Sequence, residues 1–194
     1  MRRFVEGPPL PSAYTTVTNG ARFAPLHAAV IALFEDLAAT YACDVHDTLA
    51  RPETQRAIAH ARTPITLIPS GAGAPLAVAF LSPIGVVLTC GWWYSDVSPS
   101  CSCDACDMTA ASEAERMIGM CRAVVAGGFQ EAIRTPLFGM AKQSHVFQMS
   151  SGSASGWSAV PRATARQRRG AGPSESAWKP WELRVRAASV GPPG

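Results

Sequence analysis

The sequence predicts an α+β fold, a small and mainly antiparallel sheet with two principal helices on one face, from three observations. Two segments, residues 25–41 and 110–124, carry apolar side chains three or four positions apart, the period of a helix with one buried stripe. Between them lie three apolar runs of strand length, separated by proline and glycine. The chain has 194 residues, 47% apolar and only 16% charged, enough to bury a core without disulfide staples.

The first helix opens at Pro25, whose fixed φ suits the first helical turn. Leu26, Val30, Leu33, Leu37 and Tyr41 form its stripe, with Glu35 and Asp36 on the other side. His27 on this helix has no partner at a telling spacing and is expected to be structural. After Cys43 the pattern weakens. Cys43, Asp44, His46 and Asp47 gather potential metal ligands in one turn, yet such residues also populate polar connections, and a helix-to-strand connection is the expectation here. Pro52 opens a short helix.

Three strands are expected at residues 65–68, 76–81 and 84–90, the last two joined at Ser82 and Pro83 into a central antiparallel hairpin. Trp92, Trp93 and Tyr94 end the third strand as an aromatic cluster, which suits a core edge or an interface. In the second helix Ala110, Ala114, Met117, Met120, Cys121 and Val124 share a face. Asp107 or Thr109 caps its start and Gly127 with Gly128 stops it. Residues 144–149 alternate as a half-buried edge strand would, and residues 156–160 suit another.

Residues 161–176 turn to Arg, Gly, Pro, Ser and Ala without periodicity, so the expected organisation has three parts. These are a flexible start (1–13), a single α+β domain (14–160) and a disordered or loosely docked basic tail (161–194). Trp178 and Trp181 are expected to fold back, since two indoles in water leave apolar surface exposed.

Charge is divided unevenly. Residues 1–156 hold ten Lys/Arg against twelve Asp/Glu, while residues 157–194 hold seven against two, so the net +3 belongs to the tail. A basic face with interleaved aromatics is missing from the body, and nucleic acid is not an expected partner. Residues 63–95 lack any charge, but Pro64, Pro69, Pro75 and Pro83 break them into strand-length pieces, so no membrane span is expected. Residues 1–9 have two arginines and no apolar stretch behind them, unlike a secretory signal. A reducing cytoplasm is the expected compartment, where the six cysteines are thiols or metal ligands rather than disulfides.

Cys101, Cys103 and Cys106 are the candidate site. Three thiols in one loop suit a tetrahedral zinc ion with bonds of about 2.3 Å. The fourth ligand would come from Asp104, Asp107, His46, Cys43, Cys90 or another histidine. A dithiol reading uses Cys103 and Cys106 as a pair ahead of a helix, whose positive end favours thiolate, although Asp104 and Asp107 oppose it. A third reading is a tight loop with packed thiols and capping aspartates. No catalytic residue is assigned. Gly152–Gly156 has Ala154 where a nucleophile elbow needs serine, and Gly71 and Gly73 lack the third glycine of a dinucleotide loop.

Several segments together resemble a bacterial family catalogued as domain of unknown function 6226: residues 17–27, the strand at 75–80, the run from Cys101 to Asp107, residues 125–129, and Trp178 with Trp181. The likeness is good over residues 14–135 and poor over 136–176. It implies a bacterial cytoplasmic protein in which the cysteine run is a shared trait, and it implies no activity. The expected function is therefore a non-enzymatic binding or accessory module whose three cysteines hold structural zinc or pack in a loop. The alternatives are a thiol/disulfide redox enzyme and a partner-binding protein of the antitoxin or immunity kind that uses Trp92 and Trp93.

Overall fold

The computed structural model describes residues 10–48, 60–81 and 84–185. Helix α1 spans Pro25–Thr40 and is followed by β1 (Cys43–His46), β2 (His60–Pro69), β3 (Leu76–Leu81), β4 (Val86–Cys90) and β5 (Tyr94–Ser98). These strands make one antiparallel sheet in chain order. Next come α2 (Ala110–Val125), β6 (Phe129–Arg134), β7 (Ala141–Met149), β8 (Gly152–Val160), α3 (Arg162–Ala171) and β9 (Glu175–Ala177). The second sheet, also antiparallel, runs β8-β7-β6-β9. The α+β class holds, with the strands divided between two sheets.

The uncharged stretch becomes the middle of the first sheet because both of its faces are buried. Leu76, Val78, Phe80, Val86 and Leu88 enter the main core, while Ala77, Ala79 and Val87 form a second cluster on the opposite face. Alternation disappears when neither face meets water. The expected hairpin of β3 and β4 is present, pairing Leu76 with Cys90 through Phe80 with Val86; Ser82, Pro83 and the short helix expected at Pro52 lie outside the described residues.

Helix α1 buries Leu26, Val30, Phe34 and Leu37; Phe34 fills the core where Leu33 was expected, and Leu33 sits half-buried at the margin of the stripe. By length and composition residues 20–40 could cross a membrane, and here one side of that helix is core. His27 is structural, its Nε2 2.8 Å from the Gly85 carbonyl and its ring edge-on to Phe80. Helix α2 is capped by Thr109, whose hydroxyl accepts from the Ser112 amide while the Ser112 hydroxyl accepts from the Thr109 amide. It stops at Gly127, where φ is +74° and Pro180 packs so closely that a Cβ would lie 2.6 Å from its nitrogen. Packed on α1, α2 also touches β4 and β7, and so joins the two sheets.

Three expectations are corrected. Residues 43–46 form an edge strand rather than a polar connection, because their backbone pairs with residues 66–69 of β2. The expected edge strand at 144–149 lies inside the second sheet, between β6 and β8. Within the expected loose tail, residues 162–171 are helical and 175–177 pair with β6. Ala165 is fully buried there; Arg168 donates to Gln143, and Arg169 to the Ile133 carbonyl at 2.9 Å. The chain folds back as expected: Trp181 is buried and its indole donates to the Ala74 carbonyl at 3.0 Å.

Candidate metal centre

The cysteine loop leaves β5 and reaches α2, and it is shaped by the amino-terminal segment lying across it. The Asp104 amide donates to the Thr16 carbonyl at 2.9 Å and the Ala105 amide to the Ala13 carbonyl at 3.2 Å. Asp104 accepts from the Thr18 amide at 2.9 Å, and Arg22 donates to the carbonyls of Ser102 and Cys103 at 3.1 and 2.9 Å. Residues 10–13, expected to be part of a flexible start, are thus held at this loop through Ala13, which sits in a short 3-10 turn.

Within that frame the three sulfurs converge. All lie within 4.8 Å of one another, with Cys101 and Cys103 at 3.1 Å and Cys103 and Cys106 at 3.4 Å. Cys103 is buried and the other two are half-buried. The Cys103 amide and the neighbouring thiols, with Arg22 nearby, lower the Cys101 pKa below the ordinary thiol value. Hydrogen bonding with Cys101 and Cys103 pushes the Cys106 thiol up to about 12. Deprotonating all three sulfurs this close together needs a cation to offset the repulsion of their charges.

The donor set fits a soft or borderline metal ion. A tetrahedral zinc ion spaces its sulfurs about 3.8 Å apart, so the observed contacts would open by less than about 1 Å. Cys101, Cys103 and Cys106 would hold the ion, which would clamp the loop. Among the described residues no fourth side chain joins the sulfurs. Asp104 is engaged by Thr18 and Arg22. Cys43 and His46 lie on β1, at the opposite edge of the sheet from β5, and Cys90 is buried in the core. Asp107 is exposed beyond the loop. Cys121 faces the core of α2, as expected, with burial raising its pKa to about 12.

The other candidates separate from this site. Trp93 is buried and Trp92 half-buried against Trp178, with ring centroids 5.8 Å apart, so the rings considered for an interface serve the core. The dithiol reading loses its helix terminus: α2 begins at Ala110, four residues past Cys106, and its first turn is already capped by Thr109.

A polar network and a cleft beside it were not foreseen. Buried Glu113 accepts from the Ser98 hydroxyl and from Arg116 at 3.0 Å, and Arg116 also reaches Asp96 at 2.5 Å. Glu113 and Arg116 stand three apart on α2, a spacing visible in the sequence, but their partners on β5 follow only from the fold. Beside them, a cleft of about 1090 Å³ between α2 and the second sheet is lined by residues including Tyr94, Met120 and His145.

No curated protein and no solved structure matches this chain. One family does, and its match runs through the stretch at 136–176 where the likeness looked poor: over residues 1–185 the chain belongs to DUF6226, a family of unknown function.

Proposed function

We propose that this is a non-enzymatic binding or accessory module of the bacterial cytoplasm whose Cys101, Cys103 and Cys106 hold one structural zinc ion. The observation that carries the reading is the convergence of three sulfurs within 4.8 Å in a loop whose backbone already anchors residues 13–22. Zinc there would stiffen the platform on which the amino-terminal segment docks, linking it to the junction of β5 and α2. Only three protein ligands are available in the group, so the remaining position would go to water or to an external donor. Among the described residues no histidine or carboxylate joins the three sulfurs, which favours a role in holding the loop.

Protein purified without a histidine tag should contain about one zinc per chain by elemental analysis, and Cys103→Ser should lose it. A thermally stable wild type that neither retains nor takes up zinc would end this reading. Redox use of Cys103 and Cys106 is the rival, favoured by their 3.4 Å contact; rapid reaction of wild type with a disulfide reagent below about pH 8 would support it instead.

A further inference from the structure

Among the described residues, the four sheet edges are defended unequally. β1 is four residues long and carries Asp44 and His46; β5 carries Asp96, tied to Arg116; β9 has three residues, one of them Glu175. Short length and charge are the usual devices that keep an edge from recruiting another strand. β8 has neither. Its nine residues, Gly-Ser-Ala-Ser-Gly-Trp-Ser-Ala-Val, contain no charge and no proline, and it pairs with β7 without a bulge from Gly152 to Val160. All but Gly156 and Val160 are exposed.

We propose that β8 is a self-association edge, on which a second copy of this chain adds its own β8 antiparallel to make one continuous eight-stranded sheet. Three features select a second copy. Residues 152–156 read the same in both directions, so a two-fold axis at Ala154 sets Gly152 opposite Gly156, Ser153 opposite Ser155 and Ala154 opposite itself. Small like residues meet without charge or size conflict, and opposed serines can hydrogen-bond across the strands. The antiparallel direction also separates like charges. Arg162, Arg166, Arg168 and Arg169 follow directly on β8, and Val160 stands six residues, about 20 Å, from the axis. The two basic helices therefore lie at opposite ends of the joint, well beyond the Debye length of about 8 Å, whereas a parallel pairing would set them side by side. Trp157, 66% exposed and held by Lys142 at 4.7 Å from its ring, would reach across to the turn at Ser150 and Ser151 of the second copy and bury part of its surface.

Light scattering on the full chain at roughly 100 µM should give twice the 20.4 kDa chain mass. Ser153→Lys with Ser155→Lys places lysine opposite lysine and should weaken the dimer roughly tenfold or more while the circular dichroism stays that of wild type. With oxidised glutathione as the oxidant, Ala154→Cys should form an intermolecular disulfide above the background of the native cysteines, because that residue faces its own copy. A monomer at that concentration overturns the proposal. So does a dimer that survives the lysine pair without an Ala154→Cys crosslink.

Discussion

The two sheets are built from different chemistry. The five-stranded sheet has a middle that is apolar on both faces, with β3 and β4 almost wholly buried. The four-stranded sheet is pinned to it by polar side chains inside the protein. Buried Glu131 of β6 accepts from the amides of Trp92 and Trp93 at 2.6 and 2.8 Å and from the Trp178 indole at 3.2 Å. Gln143 of β7 donates to the Trp93 carbonyl at 2.9 Å. Both residues act on the turn between β4 and β5, so one sheet supplies the hydrogen bonds that the other sheet's turn cannot make for itself. Burial without direction stabilises the first sheet, whereas directional bonds fix how the second is set against it.

That contrast can be broken from either side. Leu88→Ala, in the first sheet, removes a fully buried side chain and should cost about 2–5 kcal/mol in denaturant unfolding with little change in the local signature of Trp92 and Trp93. An equal loss of the tryptophan signature would show that the two sheets are not held separately. Glu131→Gln keeps the shape but removes the charge and one acceptor, and should cost about 1.5–3 kcal/mol of stability while shifting tryptophan fluorescence. Fluorescence identical to wild type would mean that the carboxylate does not order the turn.

The smallest effect concerns His145 of β7, whose ring lies 4.6 Å from that of Tyr94. Burial lowers its pKa below the ordinary histidine value of 6.5. The fold therefore prefers the neutral ring, and its contribution is complete above pH 6.5. It declines as pH falls through the folded value and is flat below it. His145→Gln should flatten that part of the stability profile, measured by thermal unfolding from pH 7.5 downward in steps; a profile unchanged from wild type would remove the ring from the account.

Legibility in the sequence followed the same division. β3, α1 and α2 could be read because burial imposes a period or an unbroken apolar run, and Thr109 with Gly127 marks the ends of α2 by local backbone chemistry. β5 was missed: Tyr94–Ser98 is short and carries Asp96, and its strand state depends on pairing with β4 and on Arg116. Helix α3 was missed for a related reason. Its arginines look like a solvated tail until Gln143 and the Ile133 carbonyl, both distant in sequence, accept from Arg168 and Arg169. The cysteine trio was visible as a spacing, but the hydrogen bonds from residues 13–22 that shape its loop were not.

By itself the sequence determined the α+β class, the two long helices, the glycine stop of α2, the buried hairpin and the nearness of three thiols, because each depends on interactions between close neighbours or on burial that leaves a periodic trace. Only the tertiary structure decided that the strands split into two sheets, that Glu131 and Gln143 bind the turn between β4 and β5, that Trp93 is core, and that β8 is, among the described residues, the end strand of its sheet. Those outcomes rest on partners far apart along the chain. A polar residue carries no local mark that tells whether it will meet water or a distant amide.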